Sequence, residues 1–208
     1  ELAINDLETD SPILPHLTQV MQAGNRAREL VRQILAFSRH GDMDRKPVKI
    51  RLVVQEALLL LRASLPSTVE IREDLNSDTG TVLADPTQLH QVIMNLCTNA
   101  YQAMAESGGE MKIALQVAQI HESVEMTQGM LTPGPYVCLT VTDTGPGIKP
   151  SMIEQIFEPY FTTKGINGGT GLGLTMVQAI TLRLKGAIAI DTEIGQGTSF
   201  TVYFPMLM

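Results

Sequence analysis

Two glycine clusters within one stretch of the chain constrain its fold more than any other feature of the sequence. The first, Asp143-Thr-Gly-Pro-Gly147, follows an alternating apolar run at Tyr136–Thr142, so Asp143 is expected where a half-buried strand ends. Its two glycines allow a sharp turn and a close approach of the backbone to a flat ligand. The second cluster, Gly168-Gly-Thr-Gly-Leu-Gly173, runs into an apolar pattern of helical spacing. The free amides and the dipole at such a helix start suit a polyphosphate.

Neither glycine cluster identifies a nucleotide site by itself, because glycine-rich turns are common. The spacing does not match the lysine-containing phosphate loop of the Walker type. Neither cluster gives the dinucleotide-binding fingerprint in its strand–turn–helix setting either. A further element is needed to decide what these loops bind.

A predicted helix that begins at Asp85 supplies this element. Asp85 is the candidate N-cap, Pro86 the first helical residue and Gln88 the expected capping-box partner. Asn95 and Asn99 lie four residues apart and therefore share a face beside an apolar stripe. Asparagine has a poor helix propensity and is costly to bury unless it is hydrogen-bonded. The two residues are either helix-to-loop caps or groups that hold a hydrated Mg²⁺ and its phosphates through amide oxygens.

Four segments of the chain resemble, in the same order, the four boxes that define the ATP-binding domain of sensor histidine kinases. In the order asparagine, first glycine, phenylalanine and second glycine box, they are Asn95-Leu-Cys-Thr-Asn99-Ala, Asp143-Thr-Gly145-Pro-Gly147, Phe157-Glu-Pro-Tyr-Phe161-Thr-Thr-Lys164 and Gly169-Thr-Gly171-Leu-Gly173-Leu. Gly195-Gln-Gly197-Thr198 resembles a weaker third glycine element. Four ordered motifs make this resemblance specific, and it covers roughly residues 47–208 and a helix before them.

The resemblance implies an α+β fold, a two-layer α/β sandwich of the type shared with gyrase, a heat-shock chaperone and mismatch-repair ATPases. Residues 47–208 would form the catalytic ATP-binding domain. Residues 1–43 would be a remnant of the dimerisation and phosphoacceptor helical hairpin, mainly its second helix. Apolar residues between Leu14 and Arg39 recur at three- and four-residue steps, which is typical of a bundle seam.

Outside the motifs, the apolar pattern predicts a coarse set of elements. A helix is expected over 48–65, with Leu52, Ala57, Leu60 and Leu61 facing inward. The remaining predictions are strands at 69–73, 81–83, 111–120 and 136–142, a loop over 122–135, and a hairpin of 187–191 with 198–204.

The resemblance also assigns roles to single residues. Asp143 would accept a hydrogen bond from the exocyclic amine of adenine and so select ATP over GTP, unless it only caps its turn. Asn99 would be the Mg²⁺ ligand, with Asn95 supporting the metal or the phosphates. Lys164 would meet the phosphate tail as the third catalytic residue, unless it is a solvated loop charge. The predicted nucleotide-binding residues are Asn95, Asn99, Ala103, Asp143, Gly145, Gly147, Ile148, Lys164, Gly169, Thr170, Gly171, Leu172, Gly173, Leu174 and Thr198.

Asn95 also bears on the fate of the nucleotide. In the hydrolysing relatives, the residue four positions before the metal asparagine is a glutamate that activates water. An amide cannot act as a base, so we expect ATP to be held for transfer rather than hydrolysed. Some family members carry a lysine three residues after the metal asparagine, whereas this chain has Gln102 and so lacks one phosphate contact.

The histidines of the chain do not supply the family's phosphoacceptor, which is a histidine followed by Glu or Asp on the first hairpin helix. His16 follows a proline and opens the second helix, while His40, His90 and His121 are most simply surface residues. The chain begins at Glu1 rather than Met, so we expect it to be a fragment. We therefore expect it to bind ATP without phosphorylating itself.

Composition narrows the partners and the compartment. A net charge of −7 argues against bulk binding to nucleic acid. No apolar run approaches the roughly 20 residues that span a bilayer, so we expect no membrane contact by this fragment. We expect it in the cytoplasm, in a parent protein that a segment outside these residues could anchor to a membrane. Cys97 and Cys138 are predicted to be reduced packing residues.

We therefore expect the ATP-binding catalytic portion of a sensor histidine kinase. It would transfer the γ-phosphoryl group of Mg-ATP to a histidine, for relay to an aspartate in the receiver domain of a response regulator. The intact protein would be a homodimer. The alternatives are a serine/threonine protein kinase of the same superfamily and a nucleotide-sensing scaffold without transferase activity. The phenylalanine box argues against the former, as does Leu35-Ala-Phe-Ser-Arg39, which resembles the usual ending of the second hairpin helix in histidine kinases. The intact motifs argue against the latter.

Overall fold

A computed structural model gives the structure of the chain at Ile13, Leu17, Val20, Met21 and Gly24 and at residues 45–66, 68–76, 80–163 and 170–207. The chain divides into two units, Glu1–Asp42 and Met43–Met208. In the first unit the described residues from Leu17 to Gly24 are helical, and the amide of Leu17 donates to the carbonyl of Ile13 at 3.0 Å. Most of the predicted hairpin helix, with His16 and His40, lies outside the described residues.

The second unit alternates strands with three helices. In chain order its elements are β1 (Lys46–Val48), α1 (Ile50–Ser64), β2 (Val69–Leu75), β3 (Val82–Ala84), α2 (Pro86–Ala103), β4 (Gly109–Ile120), β5 (Val124–Glu125), β6 (Met130–Leu131), β7 (Gly134–Asp143), α3 (Gly173–Arg183), β8 (Ala187–Glu193) and β9 (Gly197–Pro205). Two short 3-10 turns, Pro150–Met152 and Gln155–Phe157, precede α3. None of the helices in the described part of the chain is long and apolar enough to cross a membrane.

A five-stranded sheet in the order β2-β4-β7-β9-β8 forms one layer of this unit. Only β2 and β4 run parallel; the other neighbours are antiparallel. Every second side chain is buried from Met111 to Leu115 in β4 and from Thr198 to Phe204 in β9, for example Ile113, Phe200 and Val202. These residues form one core with the buried faces of the three helices. The predicted two-layer α/β sandwich is confirmed, because the helices cover one face of the sheet and alternation along the strands supplies the apolar surface.

The other face of the sheet is more polar and carries a short hairpin at one end. Two hydroxyl pairs bridge β7 and β9 there, Thr140 with Thr201 at 3.0 Å and Thr142 with Ser199 at 2.6 Å. β5 and β6 pair over two residues each and bury Leu131 in a second small cluster. The expected loop over 122–135 is therefore wrong at this hairpin, because a ladder of two residues is too short to show alternation in the sequence.

The turn of this hairpin reaches the edge strand β8. Gln128 exchanges two backbone hydrogen bonds with Ile188, at 3.0 and 2.8 Å. The amide of Ile190 donates to the hydroxyl of Thr127 at 3.2 Å. The side chain of Gln128 also accepts from Gln178 of α3 at 2.6 Å, so the hairpin ties the strand edge to a helix of the core layer.

α1 faces the core with a different stripe from the one predicted. Ala57 and Leu61 are buried as expected, but Leu52 and Leu60 are 63% and 50% exposed. The buried set recurs at three- and four-residue steps and consists of Ile50, Val53, Val54, Ala57, Leu58 and Leu61. The inward prediction was wrong for Leu60 because the four consecutive leucines Leu58–Leu61 leave the helix phase ambiguous in the sequence, and it was wrong for Leu52 because the adjacent valines occupy the core positions there.

The start of α2 is capped as predicted, but without a capping box. Asp85 is the N-cap and Pro86 the first helical residue. The Asp85 carboxylate accepts from the backbone amide of Thr87 at 2.8 Å and from its hydroxyl. The side-chain oxygen of Gln88 is buried and finds no hydrogen-bond partner among the described residues. The predicted capping box is therefore wrong, because the cap is made within three residues by Asp85 and Thr87.

Both cysteines are free thiols in the core elements where they were predicted. Cys97 lies on α2 and Cys138 on β7. Burial raises the pKa of the Cys97 thiol to about 12 and that of Cys138 to about 11. Both side chains therefore stay neutral near pH 7 and act as small apolar groups.

Replacing Asp85 with alanine should lower the free energy of unfolding by about 1 kcal/mol, because the Thr87 amide loses its acceptor. Asp85→Asn keeps a side-chain acceptor and should recover most of this loss. Gln88→Ala is the matched control and should change stability little. Urea denaturation followed by circular dichroism measures all three variants. If Gln88→Ala lowered the free energy of unfolding as much as Asp85→Ala, the result would show that Gln88 takes part in a capping box.

Candidate functional site

Three predicted site residues line one face of α2. Asn95, Asn99 and Ala103 follow each other at four-residue steps, and all three are partly buried. Since an α-helix rises about 1.5 Å per residue, the strip from Asn95 to Ala103 is about 12 Å long. The helix stripe beside it, with Leu96 and Ala100, is buried in the core. The core side of α2 therefore holds this strip in a fixed position.

The start of α3 lies at the asparagine end of the strip. A Cβ atom added to Gly173 would lie 3.7 Å from Oδ1 of Asn95 and 3.7 Å from Nδ2 of Asn99. The N-cap residue, Leu172, makes no side-chain cap hydrogen bond. The first backbone amides of α3 are therefore available to an anion beside the two asparagines. Nδ2 of Asn99 is buried without a hydrogen-bond partner among the described residues, which is costly unless a ligand accepts from it.

Asp143 lies at the other end of the strip, as the last residue of β7. It is only 5% exposed, and its Oδ1 atom accepts from the backbone amide of Gly145 at 2.8 Å. A Cβ atom on Gly145 would lie 2.7 Å from that oxygen and 3.0 Å from the Cβ of Ala103. Asp143, Gly145 and Ala103 are therefore packed together, and a buried acid faces a small apolar helix residue at this end.

Thr198 extends this end of the site across the sheet. It pairs directly with Asp143 in the antiparallel register of β7 and β9, and it is 5% exposed. Direct partners in such a ladder have Cβ atoms about 4.5–5.5 Å apart on one face. The Thr192 hydroxyl lies 3.0 Å from that of Thr198, donates to the carbonyl of Gly197 at 3.1 Å and accepts from the amide of Ile148 at 2.9 Å. Thr192 was not predicted, since only the register of β8 and β9 reveals it.

The first glycine loop is packed on the turn between β8 and β9. A Cβ atom on Gly147 would overlap the carbonyl oxygen of Glu193. The amide of Gly195 donates to the carbonyl of Pro146 at 2.8 Å. Ile148, the predicted pocket residue, is partly buried against the core. The loop that carries Gly145 and Gly147 is therefore held by the strand turn beneath it.

The second glycine loop contacts the phenylalanine segment. The amide of Tyr160 donates to the carbonyl of Gly171 at 3.0 Å, and a Cβ atom on Gly171 would overlap the backbone of Tyr160. The hydroxyl of Thr175 donates to the carbonyl of Phe157 at 3.0 Å. The two segments that precede α3 are therefore joined to its first turn.

The described site residues form two groups joined by α2. One group contains Asn95, Asn99, Gly173 and the residues around it, Thr170, Gly171, Leu172 and Leu174. The other contains Asp143 with Ala103, Gly145, Gly147, Ile148 and Thr198. Lys164 and Gly169 lie outside the described residues, so their predicted roles stay predictions. The arrangement suits an elongated ligand with a flat, hydrogen-bonding end and an anionic end.

Comparison with known proteins gives matches to one family. Residues 84–208 match the family described as "Histidine kinase-, DNA gyrase B-, and HSP90-like ATPase". The chain is 36% identical over 208 residues to the sensor kinase CckA of Brucella abortus (strain 2308), which covers 100% of this chain and 22% of CckA. The chain spans 22% of the length of CckA and 54% of that of the sensory histidine kinase/phosphatase NtrB of Escherichia coli O157:H7.

Two solved structures are similar in fold. The catalytic domain of histidine kinase ThkA, in a nucleotide-free form, is 26% identical with a TM-score of 0.62, over 78% of this chain and 96% of that domain. ThkA in complex with the response regulator TrrA is 22% identical with a TM-score of 0.68, over 99% of this chain and 55% of the ThkA chain. At that identity the second likeness concerns the fold alone.

Two glycines in one turn should respond very differently to alanine. Gly195 and Gly197 both have positive φ, 80° and 117°, but only the Gly197 Cβ would overlap the carbonyl oxygen of Asp143. Gly195→Ala should cost about 1–2 kcal/mol of stability from backbone strain. Gly197→Ala should cost about 3 kcal/mol or more, because β9 must also move away from β7. Thermal denaturation measures both; equal losses would contradict the close packing of Gly197 on Asp143.

Proposed function

Because this chain belongs to the histidine kinase-, DNA gyrase B- and HSP90-like ATPase family, we propose that it is the ATP-binding catalytic portion of a sensor histidine kinase. It would transfer the γ-phosphoryl group of Mg-ATP to a histidine. The observation that carries this proposal is the strip along α2. The buried carboxylate of Asp143 lies at one end of this strip. The N-terminus of α3 and the two asparagines lie at the other end, about 12 Å away. That separation suits a nucleoside triphosphate bound with its base at Asp143 and its phosphates at α3.

At the base end, Asp143 reads the exocyclic amine of adenine. The Gly145 amide holds one carboxylate oxygen at 2.8 Å and so fixes the orientation of the side chain. A carboxylate only accepts hydrogen bonds, so it pairs with an amine and leaves the carbonyl of a 6-oxo purine without a donor. Burial of Asp143 strengthens this preference, because an unpaired polar group is costly away from water.

At the phosphate end, the asparagines and the first turn of α3 hold the triphosphate. Asn99 would ligate Mg²⁺ through Oδ1 while its buried Nδ2 donates to a phosphate oxygen, and Asn95 would support the same group. Bound there, Mg²⁺ neutralises charge that develops on the transferred phosphoryl group and its leaving oxygen. The uncapped amides at Gly173 add a fixed partial positive charge. We propose that Lys164 and the Gly169 amide complete the contacts to the phosphate tail.

The same residues favour transfer over hydrolysis. Asn95 lies beside the start of α3, at the position where the hydrolysing relatives carry a glutamate. Its amide can position a ligand but cannot remove a proton from water. ATP bound in this site would therefore wait for an acceptor that the protein brings in line with the γ-phosphate.

The acceptor, the regulator and the dimer belong to the proposal for the whole protein. We propose that the acceptor histidine lies on a helical hairpin of which residues 1–43 are a part, and that the intact protein is a cytoplasmic-facing homodimer. The phosphoryl group would then pass to an aspartate of a response regulator receiver domain. In support, ThkA has been solved in complex with the response regulator TrrA. CckA is named a sensor kinase, and the residues of this chain match 22% of its length.

Asp143→Asn should weaken ATP binding by about 2–3 kcal/mol, roughly 30- to 150-fold, because a buried charge-assisted hydrogen bond is lost. Asp191→Asn is the matched control, since Asp191 is an exposed carboxylate on β8. It should bind ATP like the unsubstituted chain. Isothermal titration calorimetry decides, and unchanged affinity in Asp143→Asn would overturn the adenine assignment.

Labelled ATP should pass its γ-phosphoryl group to a separately made helical hairpin that carries the acceptor histidine. The label should be acid-labile, because phosphohistidine hydrolyses in acid whereas phosphoserine does not, and Asn99→Ala should abolish the transfer. Acid-stable label on the hairpin would favour the serine/threonine kinase, and no label despite bound ATP would favour the sensing scaffold. Acid-labile label on this chain alone, lost in His16→Ala, would overturn the expectation that it does not phosphorylate itself.

A further inference from the structure

Three side chains from three adjacent strands form one row at the base end of the site. Thr198 on β9 is the direct partner of Asp143 on β7 and of Thr192 on β8. Direct partners in antiparallel ladders project to the same face of the sheet. Neighbouring strands lie about 4.8 Å apart, so Thr192 lies about 10 Å from Asp143, too far to read the same base atom. Any effect of Thr192 on the base must therefore pass through a neighbour, either Thr198 or the first glycine loop at Ile148.

The hydrogen bonds of Thr192 use every donor and acceptor that its hydroxyl has. A hydroxyl has one proton and two lone pairs. The carbonyl of Gly197, at 3.1 Å, can only accept, so it takes the Thr192 proton. The amide of Ile148, at 2.9 Å, can only donate, so it occupies one lone pair. The remaining contact is the one to Thr198 at 3.0 Å, where the distance alone allows either hydroxyl to donate; while Thr192 donates to the Gly197 carbonyl, it can only accept from Thr198.

With all three hydrogen bonds of Thr192 made at once, this count requires Thr198 to be the donor in the contact between the two hydroxyls. The Thr198 proton then points to Thr192 and away from Asp143, so Thr198 presents lone pairs to whatever lies beside Asp143. Both Thr198 and Asp143 are then acceptors. Two buried acceptors suit an exocyclic amine, which has two protons, and they oppose a carbonyl oxygen, which has none.

We propose that Thr192 is a positioning residue that sets base specificity by holding the Thr198 hydroxyl as an acceptor. The proposal rests on the proposed function, in which Asp143 and Thr198 face adenine. The Thr192 hydroxyl also accepts from the Ile148 amide, so it joins the first glycine loop to β8, the strand that contains Thr192. Without that hydroxyl, Thr198 is free to turn its proton toward the base and to donate to a 6-oxo group.

The test compares ATP with inosine triphosphate, which replaces the 6-amino group with a carbonyl. Thr192→Val keeps the β-branched shape without the hydroxyl. In calorimetry on the whole 208-residue chain, it should reduce the preference for ATP over inosine triphosphate by about tenfold. Thr192→Ser keeps the hydroxyl and should restore the preference. Thr201→Val is the matched control: it breaks the 3.0 Å pair with Thr140 on the opposite face of the sheet and should leave the preference unchanged.

The outcomes separate this proposal from the function on which it rests. If the unsubstituted chain binds both nucleotides equally, the reading of adenine by Asp143 is wrong. If it prefers ATP and Thr192→Val prefers ATP by the same factor, the role of Thr192 is wrong and the proposed function stands.

A double substitution tests the route through Thr198. If Thr192 acts only through that hydroxyl, Thr192→Val should have no further effect on the nucleotide preference in a Thr198→Val background. A further loss there would overturn this route. Should Thr192→Val unfold below the assay temperature, Thr192→Ala removes the same hydroxyl without added bulk and must give the same tenfold loss.

Discussion

The packing of α2 against the sheet is the constraint on which the rest of the second unit depends. One stripe of this helix, which includes Leu96 and Ala100, is buried in the core. The adjacent strip carries the two asparagines and Ala103, so the face that binds is set by the face that packs. A shift of the helix by one residue would rotate its surface by about 100°. That rotation would disrupt both the core packing and the position of the asparagine strip. Core burial and ligand geometry are therefore one requirement on the same eighteen residues.

The two ends of the site are built differently. The base end is formed by strand register: Asp143, Thr198 and Thr192 are fixed by backbone ladders, and the Thr192 hydroxyl bonds that of Thr198 and the Ile148 amide. Such a site is ordered before the ligand arrives, so little conformational entropy is lost on binding. The phosphate end is formed by a helix start and by the contact between Tyr160 and Gly171, and these are joined by single hydrogen bonds in connecting segments. Under the proposed function, the base would therefore meet a rigid site, while the phosphates would meet loop backbone.

The sequence could predict those features that follow from local rules. The end of a strand at Asp143, the shared face of Asn95 and Asn99 and the N-cap at Asp85 each depend on a few neighbouring residues. Features that depend on distant partners were missed. The leucines of the run Leu58–Leu61 in α1 could not be divided between core and solvent without the sheet, and the hydrogen bonds of Thr192 exist only once β8 and β9 are in register. Gln88 fits the capping-box pattern, yet the Asp85 carboxylate accepts from the amide of Thr87 instead.

The two edges of the sheet are closed by different means. An edge strand with free amides and carbonyls is a template onto which another chain can add. At β8 the turn of the hairpin fills this position, since Gln128 and Thr127 bond the edge at Ile188 and Ile190. At the opposite edge, β2 exposes alternating charges such as Arg72, which pairs with acids at 3.0 and 3.1 Å. Strand addition at β8 would first have to displace this hairpin, so a ladder of only two residue pairs protects the sheet edge from pairing with another chain.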